Sequence, residues 1–404
     1  GVTGGASLTN TGDVTAAAPV GTLGNGIVVG STADTVINST GNVSVDIGTG
    51  TGYGIQATGL RNTVVSRGNI ASDAAGIVTN GAMNPTTFVN GVAEVTQIDS
   101  VGDISTSQDV DASAIWARGN QVSVASSGTL PTQGNYASGI VAARNYRGPV
   151  GANAEVVDFG GTSASVTNKG DITTQGTSSY GILVGSAGAT TVRTEGRITT
   201  AGQSAAGIRA TGSSVTIDSL GSIKTSGAGA QGILVTTLNG NVTINAGAID
   251  SSGDGIVVQK TGTASSGSIN LPAINVNGAI TSGGRGIGLD TISANFAPAG
   301  MNPLINIAQG ASVTGLVGTG PSVRVNNGDA AAPPTVRAVS VQLENNGTIT
   351  GTGGTALALQ QAGGTIRNRG TINGAVIFGL GGIENYGQIN GDVTLSSNSG
   401  PSPL

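Results

Sequence analysis

The feature that most limits how this chain can fold is a sentence it repeats. SVTNKGDITTQGTSSYGILV begins at Ser165, TVRTEGRITTAGQSAAGIRA at Thr191 and SVTIDSLGSIKTSGAGAQGILV at Ser214, followed by NVTINAGAIDSSGDGIVV and AINVNGAITSGGRGIGL. The anchor glycines Gly170, Gly196, Gly221 and Gly247 lie 26, 25 and 26 residues apart, each followed two places on by Ile172, Ile198, Ile223 or Ile249. A Gly-Ile pair recurs at Gly181, Gly207, Gly232 and Gly255. A repeat of fixed period buries its apolar face only against the next copy. The unit is too short for two helices and carries no helical stripe, whereas Ile182 and Val184, or Val242 and Ile244, alternate with the two-residue period of a half-buried strand. Each unit therefore reads as three short strands: one before the anchor glycine, one after it, and one at Gly-Ile. The expected fold is all-β, a right-handed parallel β-solenoid with three faces and about 13 coils. Ile172, Ile198, Ile223 and Ile249 should stack inside it.

The N-x-G pattern recurs at Asn10-Gly12, Asn168-Gly170, Asn245-Gly247, Asn326-Gly328, Asn345-Gly347, Asn368-Gly370 and Asn385-Gly387. Asparagine and glycine tolerate left-handed backbone angles, so these positions mark bends, and asparagines stacked on one corner can bond one another as a ladder. Composition agrees: 71 glycines with charged residues at 9% and aromatics at 2% do not describe an ordinary globule. Disorder is disfavoured by the modest net charge and the apolar content. With neither cysteine nor histidine, disulfides, thiol chemistry and a histidine-centred triad are excluded. A formal charge of -5 disfavours nucleic acid as a partner. No run of about 20 apolar residues would cross a membrane as a helix.

Taken in order, residues 1–79 read as regular coils, 80–162 as coils with long loops, 163–290 as the most regular coils, 291–395 as irregular and then shorter coils, and 396–404 as a tail or linker. Together, 1–395 form a single β-helix. Between 80 and 162 the period stretches, from Gly68 to Gly102 and from Gly128 to Gly170, and extra residues in a solenoid become loops at a corner, often on a binding face. The stretch holds Phe88, Trp116, Tyr136, Tyr146 and Phe159, the acids Glu94, Asp99, Asp103, Asp109 and Asp111, and the cations Arg118, Arg144 and Arg147. Trp116, Tyr136, Tyr146, Arg118, Arg144 and Arg147 are the candidate ligand or partner contacts. They serve equally as anchors for long loops. Asp99, Asp103, Asp109 and Asp111 are the carboxylates a glycosidase would need, since such an enzyme works with a pair on one face. Acids in loops otherwise confer solubility. Asp13, Asp171 and Asp392 sit beside turn glycines, where an aspartate bonds backbone amides more readily than it holds a metal. No cofactor or metal motif is evident. Toward the C-terminus Gly370 and Gly387 are only 17 residues apart, so the cross-section should narrow or one strand should lose its corner.

The tandem N-x-G-x-I and G-I-x-V units, ending in IENYGQINGDVTL, resemble the secreted passenger region of bacterial autotransporters and related β-solenoid surface proteins. The resemblance covers essentially the whole chain. It implies display outside the outer membrane of a Gram-negative bacterium, with a translocating barrel elsewhere in the full protein. The function expected is structural or adhesive: attachment to a surface glycan or host protein, or lateral association with copies of itself. A polysaccharide lyase or glycosidase, and a passive spacer, are the alternatives.

Overall fold

A computed structural model describes residues 4–17, 24–46, 52–81, 93–107, 111–147, 156–237, 240–260, 272–291, 304–319, 341–359, 364–378 and 381–395. Phe88 and Asp109 lie outside them. Among the described residues there is no helix, and the strands stack in parallel as a β-solenoid. The chain divides into two compact units, residues 1–212 with 224–230, and 213–223 with 231–404.

In the first unit each turn contributes three strands in the order read from the repeat. Ser163–Asn168, Ile172–Thr174 and Ile182–Gly185 make one turn, and Ala189–Thr194, Ile198–Thr200 and Ile208–Gly212 the next. Each strand pairs only with its counterparts, so that Val166 faces Val192, Ile172 faces Ile198 and Ile182 faces Ile208. Three ladders result, and the side chains pointing inward fill a column of Ile, Val, Leu and Ala. Ile172 and Ile198 are fully buried there.

The anchor glycines are required by space. Gly170 and Gly196 do not adopt the left-handed conformation expected of them, although Gly102 (φ 123°) and Gly128 (φ 116°) at the same bend do. A Cβ on Gly196 would lie 2.0 Å from the carbonyl oxygen of Gly170, so no side chain fits between the coils. The second glycine has a different neighbour: a Cβ on Gly181 would lie 2.3 Å from Cγ2 of Ile198. The two sequence anchors are thus one packing arrangement, the bare backbone of Gly-Ile resting on the isoleucine of G-x-I in the next coil.

Threonine fills a role that the repeat did not disclose. Thr174 and Thr200 point inward at the end of the second strand, and their hydroxyls donate to the carbonyls of Ser179 (2.6 Å) and Ala205 (2.8 Å). Thr225 does the same toward Ala230 at 2.9 Å. A buried carbonyl in a turn that no ladder reaches is costly to leave unpaired, and the hydroxyl meets it.

The second unit repeats the plan with changes at its corners. Ile223 and Ile249 are buried, and the amide of Ile223 donates to the carbonyl of Ala248 at 2.9 Å. Ser219 faces Ala246 in the first ladder, so the turn leading to Ile249 is one residue shorter than the one leading to Ile223. In consequence Asn245 is not the equivalent of Asn168. It faces outward, donating to Asp218 and accepting from Asn275 at 2.8 Å, while Asn168 is buried. The anticipated asparagine ladder is present where the short repeats return: Asn345 donates to Asn368 and Asn368 to Asn385, both at 2.7 Å. The corner between the second and third strands disappears. Ala279–Thr291 is one continuous strand whose start pairs with Ile249–Ser251 and whose end pairs with Ile256–Lys260, and Thr348–Leu359 and Thr371–Phe378 continue this form.

Two substitutions test this core. Ile198→Asp should abolish cooperative unfolding, because an unpaired carboxylate in a narrow apolar column costs more than about 4 kcal/mol. Thr200→Val should keep the fold and lose about 1–3 kcal/mol by leaving the Ala205 carbonyl unpaired. Urea unfolding followed by circular dichroism measures both; a Thr200→Val protein as stable as the parent would refute the role given to the hydroxyl.

Candidate functional site

Residues 80–162 do depart from the plain repeat, and the departure concentrates on the outer surface of the third ladder. Along that ladder one outward position is occupied in turn by Val28, Gln56, Val78, Trp116, Val141 and Leu183. Val28 is 54% exposed, as an outward side chain on a solenoid should be, but Val78, Trp116, Val141 and Leu183 are all below 9%. The outer face is covered here. Part of the cover is visible in Phe159, whose ring lies against Gly185 so closely that a Cβ there would be 2.4 Å from its Cδ1. After Arg144 the chain forms an antiparallel hairpin, with Asn145–Arg147 paired to Val156–Asp158, where the third ladder's strand would otherwise have turned to the next coil. Tyr146 and Arg147 belong to its first strand.

Trp116 is held by its own strand. The guanidinium of Arg118, two residues on and so on the same face, lies 3.8 Å from the centre of the indole ring, and donates to Oδ1 of Asn80 at 2.7 Å. The ring therefore seals the ladder's outer face and is not presented to solvent as a platform. A second aromatic–arginine contact lies just before the third strand of its coil, where Tyr180 is buried and Arg209 of the next coil donates to its hydroxyl at 2.8 Å. Sequence reading singled out Trp116 and Arg118 but missed Asn80 and Arg209. The signal for Arg209 was available in the repeat, since it occupies the position of Leu183 one coil on.

Tyr136 and Asp111 belong to a bend. Asp111, Tyr136, Ser178 and Ser204 have φ of 58°, 58°, 52° and 56°, and their amides donate to Asn135, Thr177, Gln203 and Ala228 at 3.0, 3.0, 2.9 and 3.0 Å. They are one corner position in successive coils, left-handed in each, and Gly229 (φ 68°) is where the sequence writes it as glycine.

Of the acids considered as a catalytic set, Asp99 and Asp103 are employed separately. Asp99 points outward from the first ladder and pairs with Arg67 of the preceding coil. Asp103 follows a bend glycine, and its Oδ1 accepts the amide of Thr129 at 2.7 Å. That bond is one rung of a series: Asp13 accepts from Asn42 (2.8 Å), Asn42 from Asn69 (3.0 Å) and Asn69 from Asp103 (3.0 Å), and further along Asp171 accepts from Arg197 at 2.8 Å. Asp13 and Asp171 are therefore backbone acceptors, as their place beside glycine suggested. Among the described residues no group of three or more acidic, histidine or cysteine side chains is placed to hold a metal ion.

Two arginines of the second unit also join coil to coil. Arg285, where the continuous strand passes the lost corner, bonds both oxygens of Asp290 (2.6 and 3.0 Å) and Asp254 by its amide and guanidinium. These hydrogen bonds, Asp290 first, hold its guanidinium above the ordinary arginine value against the effect of burial. Arg367 bridges Glu384 (2.8 Å) and Glu344 (3.1 Å), its partners in register on either side. Comparison with family models, curated proteins and solved structures found no match for this chain.

Asp111 gives the region a pH dependence. Burial pushes its carboxyl up to about 6, partly opposed by Arg118, and Oδ1 is buried with no hydrogen-bond partner among the described residues. The folded state thus binds this proton more tightly than the unfolded chain, so the contribution of Asp111 to stability falls as pH rises from about 4 through about 6. Asp111→Asn should be more stable than the parent at pH 7, by on the order of 1 kcal/mol after solvent screening. The part of the gain due to charge should vanish below about pH 4. Urea unfolding at pH 4 and pH 7 checks this; a pH-independent difference would show that Asp111 is not held uncharged by its site.

Proposed function

We propose that this chain is an extracellular scaffold of adhesive or self-associating role, carried as the passenger of an autotransporter-type protein on the surface of a Gram-negative bacterium. The observation that carries the reading is how the chain spends its few charged groups. Arg61 with Asp34, Arg67 with Asp99, Arg285 with Asp254, and Arg367 with Glu344 and Glu384 each join one coil to another, and Asp13, Asp103 and Asp171 bond the amides of neighbouring coils. These charged side chains are used for cohesion between coils. The outward positions of the described strands carry many Thr, Ser and Asn residues, with scattered apolar side chains such as Val28 and Leu220 and projections at the corners, which suits a support for contacts with surfaces or sister copies.

The outer cover built on residues 80–162 is the first projection to test. Between Asn80 and Ser163 the strands of the three ladders come in complete sets, Val95–Val101, Ile104–Thr106 and Ile115–Arg118, then Gln121–Ser127, Leu130–Thr132 and Ile140–Ala143, followed by the hairpin. Removing 81–162 therefore subtracts whole coils and keeps strand order. Displayed on cells, the parent should promote sedimentation of the culture or retention on glycan- or protein-coated surfaces. The shortened chain should lose the share of retention that this region carries while keeping sedimentation. Cells that display the parent and neither sediment nor adhere would refute the proposal.

A further inference from the structure

The second unit contains a hollow that no part of the sequence reading anticipated. In its first ladder the strands Leu304–Ile307, Val341–Asn345, Gly364–Asn368 and Gly382–Asn385 are in register, Ile307 facing Asn345, Asn345 facing Asn368, and Asn368 facing Asn385. The turns that follow are unequal. Asn346-Gly347, Arg369-Gly370 and Tyr386-Gly387 are two-residue bends, whereas Ala308-Gln309-Gly310-Ala311 has four residues before the next strand at Ser312. The longer turn is closed by the amide of Ala311 donating to Ala308 at 3.0 Å, with Gly310 left-handed at φ 81°.

Because the ladder holds the strand ends level, the two extra residues must stand out from the corner as a ledge. Below the ledge the main chain passes too closely for any side chain, a Cβ on Gly347 lying 2.2 Å from the carbonyl oxygen of Ala311. The result is a shallow hollow of about 320 Å³, open to solvent and lined by Gln309, Asn346 and Arg369. Tyr386 continues the corner column in the next coil, 70% exposed, with the Arg369 guanidinium 5.9 Å from its ring centre.

The chemistry of these groups is specific. Arg367, two residues before Arg369, is held by two carboxylates, but among the described residues Arg369 makes no ion pair. A guanidinium so placed offers paired donors to a planar carboxylate. The amides of Gln309 and Asn346 offer both donors and acceptors, as vicinal hydroxyls require, and an exposed phenol ring offers a flat amphipathic face. A lone phosphate would be served by several cations, and among the described residues that line the hollow only Arg369 is one.

We propose that this corner binds a sugar ring bearing a carboxylate, with the acid on Arg369, hydroxyls on Gln309 and Asn346, and the ring face toward Tyr386. The inference rests on the adhesive reading above and gives it a ligand class and a place outside residues 80–162. Two sources share the chemistry, a uronic acid polymer and a sialic acid terminus.

The test titrates the whole chain with a galacturonate tetramer, a sialylated trisaccharide and an uncharged glucose tetramer, followed by ligand-observed NMR or calorimetry. Binding of either acidic sugar, at least about tenfold tighter than the uncharged one and reduced about tenfold or more in Arg369→Gln, supports the site. The stronger of the two identifies the source. Asn346→Leu should weaken the same ligand without altering urea unfolding, and an unchanged unfolding curve for Arg369→Gln excludes misfolding as the cause. Absence of binding to both acidic sugars at millimolar concentration, or binding indifferent to Arg369→Gln, overturns it. Cells displaying Arg369→Gln separate the two levels: adhesion undiminished by the substitution removes this site and leaves the adhesive function standing, whereas a parent that never adheres removes that function itself.

Discussion

The structure depends on how closely one coil's backbone can lie on the next. In a parallel ladder each strand's amides and carbonyls are satisfied by its neighbours above and below, at a spacing of about 4.8 Å, and this spacing must hold through the corners as well as the strands. Where the chain bends, a Cβ facing the preceding coil would occupy the position of its carbonyl oxygen, as at Gly196 over Gly170. Glycine at the bend is therefore a condition for the ladders to exist. The isoleucine that follows two places later inherits its inward position from that bend, and the Gly-Ile backbone of the neighbouring coil closes over it.

Given that frame, polar groups have few places to go, and most are drawn into coil-to-coil bonding. Inward threonines serve turn carbonyls. Carboxylates after the bend glycine serve amides, and outward acids and arginines pair in register or across one coil. Arg285 shows the strongest form of this use: where the corner between two ladders is lost and Ala279–Thr291 runs through, register slips near Arg285, and its bonds to Asp254 and Asp290 join the coils across the irregularity.

Much of the fold was legible because the repeat is written in residues with a single structural meaning. The three strands per coil and the stacked isoleucines follow from spacing and alternation alone, whereas the contact between Gly-Ile and the isoleucine of G-x-I does not. Details set by counting residues in turns were less legible. The turn before Ile249 is shorter by one residue, which sends Asn245 outward although its N-x-G motif matches that of Asn168. The cause assigned to the anchor glycines also had to change, from backbone angle to space, because sequence does not display the neighbouring coil. In the candidate region the sequence located the departure from the repeat at 80–162 but left Trp116 open between a contact residue and an anchor: an aromatic in an alternating segment looks the same whether its outward face is bare, as at Val28, or covered. The hollow at Gln309, Asn346 and Arg369 was invisible for the same reason as the shorter turn, since it arises from a difference in turn length between coils far apart in the chain.

The series of side chains that follows the bend glycine in the first unit has an order with electrostatic meaning. Asp13, Asn42, Asn69, Asp103 and Thr129 succeed one another, each of the first four accepting the amide of the next. An amide oxygen does this work as well as a carboxylate oxygen, so the choice between them is free as far as the hydrogen bond is concerned. It is not free with respect to neighbours, because like charges stacked at ladder spacing repel. Along this stretch of corner two neutral asparagines stand between the acids. The corner thereby behaves as a column of acceptors with its charge diluted, and its capacity for negative charge, more than its capacity for hydrogen bonds, limits how acidic such a column can become.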